Sequence, residues 1–499
     1  MNQEITNYID LSPTPSSLIE SLRDIGYSIE TSIADIIDNS ITALSSQIDI
    51  RFSWNDGMPW LAIIDDGCGM SYEELEAAMR FGSMSPLAKR SKDDLGRFGL
   101  GLKTASFSQC RCLTVLSKKD GDISCCQWDL DSISLSKNNK WLLRVLSGED
   151  IAEIPILNSL ATKYLNDLSA GTIVLWNSID RIDAGNDSEV NESKFHEALI
   201  SVRIHLELVF HRFISPDPGQ SKVRFSFNND ELEAFDPFNS AKSTERPGAD
   251  FKCEGENINV QPYVLPRHNK VSKSEWKKYE GQLGYLHEQG FYVYRNRRLI
   301  IKGTWFRLIS KAELTKLLRV KVDIPNSLDH LWKIDVKKSH ASPPFSIRKE
   351  LKNIIGQIEL DGKRVITGEG QRLRSSVKEP SWNRIAANNQ ILYEINKDHT
   401  LIKDFCGRLD DPKRQLFENI LSTLENSFPR EAFFKDVAST PEQVETPPMQ
   451  KKQIEILLDI FLGTTAPTKE RLKELMHIDP FVSNKECAEQ IFKERAYEY

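Results

Sequence analysis

Apolar positions in the first hundred residues follow two rhythms. Ile33, Ile36, Ile37 and Ile41 recur at the spacing of one helix face, which predicts a helix over about 28–45. Pro15-Ser16-Ser17 opens a shorter helix near Leu18 to Arg23, stopped around Gly26. Leu61-Ala62-Ile63-Ile64 is instead a short unbroken apolar run, the signature of a buried strand, and Ile48 to Trp54 reads as a second strand. Residues 72–80 read as a short helix, and 82–95, rich in Ser, Lys and Asp, as a loop. Further strands are predicted at 112–117, 124–130, 141–146, from Gly171 to Trp176, from Val223 to Phe227 and over 290–302, with a helix at 191–214. From about 356 the pattern is mainly helical and poor in motifs. A Pro/Glu/Thr linker at 436–450 precedes closing helices that include Ile454 to Phe461 and Lys469 to Met476.

Composition bounds this picture. A chain of 499 residues exceeds one ordinary core, so two to four domains are expected. The net charge is −7, so nucleic-acid contact requires a local basic patch. No apolar run reaches the roughly 18 residues of a membrane span, and the N-terminus lacks a signal peptide's basic and apolar regions. A cytoplasmic protein without membrane contact is the expectation. The eight cysteines match neither zinc nor disulfide spacing and are expected as buried reduced thiols.

Three short motifs carry the candidate chemistry. Asp35 and Asn39 are four apart and share a helix face, where a carboxylate and a carboxamide can hold Mg²⁺ and a water between them. An acidic face in solvent fits the same spacing. Asp65-Asp66-Gly67-Cys68-Gly69-Met70 follows a strand. Asp65 can accept a hydrogen bond from an exocyclic amine such as adenine's, while Gly67 and Gly69 permit a tight turn and close approach of a flat ligand. An ordinary Asp-Gly turn is the competing reading. Gly96, Gly99 and Gly101 precede a helical pattern from Leu102 to Phe107, whose backbone N–H groups can bind phosphate, with Lys103 adding charge. It is not a Walker loop, since no Gly-Lys-Ser/Thr follows at the proper spacing, nor a dinucleotide fingerprint, since it follows the acidic segment Ser91-Lys92-Asp93-Asp94 and not a strand.

Together and in this order, the motifs resemble the GHKL ATPase superfamily, which includes gyrase B subunits, the ninety-kilodalton heat-shock chaperones, histidine kinases and MutL. The look is nearest to the MORC and MutL side. Asp38 to Ala43 resembles the MORC "DNAxDA" run, Asp65 to Met70 its "DDGxGM", Phe81-Gly82-Ser83 its "FGxS", and Gly96 to Lys103 its "GxFGxGxK". The resemblance covers roughly the first 355 residues. It implies an α+β architecture: a GHKL (Bergerat) α/β sandwich ATPase head over 1–190, then a transducer-type α/β domain over 191–355. A helical region (356–435), the linker (436–450) and a C-terminal helical segment (451–499) follow. It implies ATP and Mg²⁺ as cofactors, with Asn39 on the metal. Ala43, Asp65, Gly67, Gly69, Met70, Gly99, Leu100, Gly101, Leu102, Lys103 and Thr172, of Gly171-Thr172, surround the nucleotide. Loop 82–95 becomes the lid. Asp35 takes the general-base position, where the family usually has Glu. The arm is one methylene shorter, which points to slow hydrolysis.

Gly290 to Ile300 resembles the transducer's "VYxxNRLI" strand, and Trp332 to Ser339 the strand-end loop that sends a Lys to the γ-phosphate. Lys337 and Lys338 are the two candidates, and spacing does not choose between them. The resemblance also implies an ATP-dependent homodimer, with nuclease or other defence-system partners in bacteria. Between Arg267 and Arg307 stand ten Lys/Arg against three Asp/Glu, with aromatics interleaved. That segment fits a DNA-backbone surface or a plain domain surface. Alternatives to a DNA-acting ATPase are a chaperone-like or signalling ATPase acting on proteins, or a nucleotide-binding module with little turnover.

Overall fold

Ser28 begins the helix on which the first layer is built. Its side chain accepts from the Thr31 N–H while the Thr31 hydroxyl accepts from the Ser28 N–H, a reciprocal cap that starts α2 (Ile29–Thr42) shortly after α1 (Pro15–Arg23). This computed structural model describes residues 14–24, 26–82, 101–135, 140–181, 188–332, 342–357, 379–387, 390–430, 432–433, 449–462 and 468–495.

Helix α2 lies on a mixed sheet formed by β1 (Gln47–Ser53), β2 (Trp60–Asp65), β3 (Cys110–Lys119), β4 (Asp122–Asp129), β5 (Arg144–Val145), β6 (Gly171–Ile179), β7 (Arg224–Phe227) and β8 (Asp230–Glu231). The order is β5-β4-β3-β6-β2-β1-β7-β8; β1 and β7 are parallel and the other pairs antiparallel. On one face, Leu61, Ile63, Leu113, Val115, Val174 and Trp176 pack with Ile33, Ile36 and Ile37 of α2. On the other, Ala62, Ile64, Leu116, Ile173 and Leu175 meet Leu157, Leu160 and Leu165. Strand β2 is therefore buried on both sides, which is why its sequence is continuously apolar. Two short helices flank the loop that leaves β2: α3 (Tyr72–Met79) and α4 (Gly101–Phe107). The Trp176 indole N–H donates to Ser106 Oγ at 2.8 Å, fastening α4 to the sheet.

The expected cut at 190/191 is not a boundary between compact units. Helix α5 (Ser188–Val209) sends Phe195, Leu199, Val202 and Leu206 into the first sheet's core. Strand β7, expected to open the second domain, pairs with β1, Ile48 opposite Phe225. A second sheet follows in the order β10-β11-β14-β12-β13, with β9 (Thr244–Glu245) beside β11. Its strands are β10 (Ala249–Cys253), β11 (Glu256–Val264), β12 (Gly290–Arg295), β13 (Arg298–Thr304) and β14 (Leu318–Ile324). The strand expected over 290–302 is thus a hairpin. Asn296 and Arg297, at φ 47° and 67°, make a two-residue turn of the left-handed kind that matches strand twist. The described residues within Met1–Pro266, Lys277–Lys311 and Leu317–Ile354 form one compact unit containing both sheets.

The second unit comprises Arg267–Trp276, Ala312–Lys316 and Ile355–Tyr499. Its core gathers Ile454, Leu458, Leu472, Leu475, Phe481, Ile491 and Phe492. Beside its helices, the described part of this region holds an antiparallel hairpin that the sequence pattern did not suggest, β15 (Trp382–Ala387) and β16 (Gln390–Ile395). Its connection in sequence is Asn388-Asn389, without the glycine that marks most short hairpins. Most of the 436–450 linker lies outside the described residues.

The loop after β2 depends on Gly69. Its φ is +65°, and a Cβ there would stand 1.9 Å from the Lys118 carbonyl oxygen. Gly57, at φ +87°, has open space around it. Gly57→Ala is expected to cost only the left-handed backbone penalty of about 1–2 kcal/mol. Gly69→Ala adds an overpacking cost, for a loss of roughly 3 kcal/mol or more in urea unfolding. Equal losses in the two variants would contradict this packing.

Candidate active site

Helix α2 carries three polar residues of interest, Asp35, Asp38 and Asn39. Asp35 is buried, 4 % exposed. The Tyr27 hydroxyl donates to its Oδ2 at 3.0 Å. A Cβ on Gly101 would come within 3.9 Å of that same oxygen, so the carboxylate faces the first residue of α4. Asn39, one turn further, is exposed. Asp38 is more deeply buried than Asp35, and its partner comes from the second sheet: Arg298 Nε donates to Asp38 Oδ1 at 2.7 Å. The same guanidinium's Nη2 stands 3.8 Å from Asp35 Oδ1.

Asp65 ends β2 and is tied to the same helix. Ser40 of α2 donates to Asp65 Oδ2 at 2.7 Å, and the Gly67 N–H donates to Oδ1 at 3.0 Å. Burial raises the Asp65 carboxyl above its ordinary value of 3.8, outweighing the Ser40 and Gly67 hydrogen bonds, which pull it down. Thr172 is directly opposite Asp65 on β6. Its hydroxyl is 2.9 Å from Ser117 Oγ, which also accepts the Met70 N–H at 2.9 Å. Ala43 closes the same corner. Its carbonyl accepts the Cys68 N–H at 3.0 Å, and a Cβ on Gly67 would collide with Ala43 Cβ at 2.8 Å. The structure thus brings Asp35, Asn39, Ala43, Asp65, Gly67, Gly69, Met70, Gly101 and Thr172 to α2 and its neighbouring loops.

Lys103 is differently employed from what its position at a helix start suggests. It is 1 % exposed, and its ammonium donates to the carbonyls of Ala78 and Arg80 at 2.7 and 2.9 Å. A cation there satisfies the last carbonyls of α3 and complements that helix's dipole. Burial pushes its pKa down to about 8. Phe81 lies beneath it, its ring centroid 5.9 Å from Nζ, and stacks on Phe107. Leu102 packs half-buried against the main core. Gly99, Leu100, Lys337, Lys338 and residues 83–95 of the expected lid lie outside the described residues.

The basic segment 267–307 is partly internal. Arg295 is buried against Asp329, with Nε 2.9 Å from each carboxylate oxygen. Arg297 covers the Phe213 ring at 4.3 Å and donates to the Ser221 carbonyl. Arg298 serves Asp38, and Lys302 pairs with Glu288 at 3.2 Å. Lys270, Lys273, Lys277 and Lys278 are exposed. Of the cysteines, Cys110, Cys125, Cys126 and Cys253 are buried, and burial pushes Cys125 up to about 12; Cys68 is exposed. Among the described residues, no group of His, Cys, Asp and Glu side chains is arranged to hold a metal by itself, and no helix is long and apolar enough to cross a membrane.

Arg298 is the member of this cluster that motif reading misses. Its contact with Asp38 spans 260 positions. The usable signal was a buried Asp beside Asp35 that needed a cation from elsewhere in the chain.

Residues 27–163 match the family described as Histidine kinase-, DNA gyrase B-, and HSP90-like ATPase. ATPase morc-1 of Caenorhabditis elegans is 28 % identical over 189 residues, covering 33 % of this chain and 22 % of the relative. The chain thus spans about a fifth of that relative's length. The family match includes Asp35, Asn39, Asp65, Gly69 and Lys103, and stops before Thr172 and Arg298.

The raised carboxyl of Asp65 has a pH consequence. A folded-state pKa above the unfolded one gives stability that is complete below about 3.8 and lost as pH rises through the higher folded value. Asp65→Asn removes that titration. The stability of the nucleotide-free protein relative to Asp65→Asn is therefore expected to decline from pH 3 upward in chemical denaturation. A difference that grows with pH would reverse the assignment.

Proposed function

We propose that this chain, a GHKL-type ATPase related to the MORC proteins, binds ATP at the end of α2 and hydrolyses it slowly to ADP and phosphate. The observation that carries the reading is the pairing of two buried carboxylates along one helix. Asp65 is tied to α2 through Ser40, and Asp35 faces the glycine start of α4. In this reading Asp65 accepts from the exocyclic amine of adenine. That hydrogen bond favours the ionised form that burial alone disfavours. Thr172 adds its hydroxyl beside the base, directly or through a water. Gly67 and Gly69 let the loop that follows Asp65 pack directly on Ala43 and on the Lys118 carbonyl, which holds it beside the base.

At the phosphate end, Gly101 and Leu102 contribute backbone N–H groups, joined by Gly99 and Leu100. A Lys at 337 or 338 supplies the charge on the γ-phosphate, because the Lys103 ammonium is already engaged with α3. The exposed carboxamide of Asn39, one turn from Asp35, fits a Mg²⁺ that keeps most of its waters and takes its other ligands from phosphate. Bound there, the ion would neutralise phosphate charge. Asp35, held by Tyr27, accepts a proton from water as that water's oxygen bonds to the γ-phosphorus. The bond to the β-phosphate oxygen breaks, and ADP leaves.

Both sheets belong to one compact unit, and a Lys from beyond the second sheet that reaches the γ-phosphate would bind one arrangement of that unit better than another. ATP would then favour a closed form that dimerises. The inward turn of Arg295, Arg297 and Arg298 weakens the case for a DNA-binding strip through 267–307. The proposal is therefore confined to ATP and a second copy of the chain.

Asp35→Asn is expected to keep ATP binding and lose roughly 10²-fold or more in turnover. Asp65→Asn is expected to lose about 1–3 kcal/mol of ATP affinity in calorimetry with the fold retained. Unchanged values in both would place the site elsewhere. A non-hydrolysable ATP analogue, but not ADP, is expected to double the mass seen by light scattering. Coincident masses with analogue, ADP and no nucleotide would leave a static binding module.

A further inference from the structure

Arg298 opens β13, and its guanidinium is divided three ways. Nε donates to Asp38 Oδ1 at 2.7 Å, Nη1 to the Leu299 carbonyl at 3.0 Å, and Nη2 faces Asp35 Oδ1 at 3.8 Å. The Phe210 ring lies 5.7 Å from its central carbon. Arg298, Asp38 and Asp35 are all at least nine-tenths buried. His205, close by, is kept neutral with its pKa near 3, by burial first and then by Arg298 and Lys302. It therefore does not compete as a cation for the carboxylates.

The hairpin that carries Arg298 is itself anchored. Its turn residues both take left-handed φ, Arg295 on the facing strand is bound to Asp329, and Arg297 covers Phe213. The guanidinium that faces Asp35 therefore hangs from a hairpin held on both strands. On the other side, Tyr27 fixes Asp35 Oδ2. One carboxylate oxygen is thus set by the first layer and the other is faced by a cation from the second sheet.

Building on Asp35 as the base, we propose that Arg298 is a positioning residue for hydrolysis. It orients Asp35 and Asp38 and couples the β12–β13 hairpin to the helix that carries the base. It touches neither water nor phosphate in this role. It acts through the carboxylates, so it governs turnover at saturating ATP and not adenine recognition, which lies at Asp65.

The test compares Arg298→Met, the double variant Arg298→Met/Asp38→Asn, and Asp35→Asn, with ATP affinity, kcat, KM and melting temperature measured for each. In Arg298→Met, kcat is expected to fall at least tenfold while the ATP dissociation constant moves less than threefold. The double variant removes the stranded Asp38 charge. It is expected to recover melting temperature and not kcat. If kcat returns with stability, Arg298 is a structural ion pair only, and the proposal is overturned. Wild-type kcat in Arg298→Met overturns it too. Should Arg298→Met fail to fold, the kcat of the double variant decides: a fall of at least tenfold supports positioning, and a wild-type value overturns it. Asp35→Asn separates the two levels. Turnover surviving there removes Asp35 as base, whereas turnover surviving only in the Arg298 variants removes the coupling alone.

Discussion

Two carboxylates buried one turn apart on a single helix are a costly arrangement, and much of the first unit answers to it. Removing one partner of a buried ion pair typically costs about 3–5 kcal/mol, because the remaining charge has no water. Asp38 meets this constraint through Arg298, and Asp35 through Tyr27 with Arg298 nearby. The β12–β13 hairpin brings a cation to this spot, while sheet pairing and the Arg295–Asp329 ion pair also hold it. The contact is one of those made between the two sheets within their single compact unit. A salt bridge replaced by apolar groups could be equally stable.

A second consequence concerns the division of labour among cations. Lys103 and Arg298 are both buried, yet neither faces open solvent where a triphosphate would enter. Lys103 closes the end of α3 and Arg298 steadies α2. The positive charge within the described part of the site is used in shaping it. Both ammonium and guanidinium thus complete carbonyl and carboxylate partners of the fold itself.

The parts legible in the sequence were those whose physics is local. Helix α2 announced itself by the spacing of Ile33, Ile36 and Ile37, and β2 by an apolar run buried on both faces. Gly69 was readable as a turn because its left-handed backbone excludes other residues cheaply. Reading failed where a long side chain crosses between elements. Lys103 looked like a phosphate ligand at a helix start, but its four-carbon arm reaches back to Ala78 and Arg80. Arg295, Arg297 and Arg298 looked like solvated charge, because a basic run gives no hint that each has an acid or a ring waiting more than thirty residues away. The 290–302 hairpin was hidden for a related reason: Asn-Arg takes the left-handed turn that glycine usually signals.

The order of strands carries one further implication. Strand β6 stands between β3 and β2, in the middle of the first sheet, and begins at Gly171. Strand β7 and helix α5 complete the same layer from still later in the chain. The match to the ATPase family model ends at residue 163, before any of these. Cut there, it would keep its binding motifs and lose the strand that joins the two halves of its sheet. The stretch recognisable by family likeness is therefore shorter than the sheet it belongs to, whose joining strand comes after it.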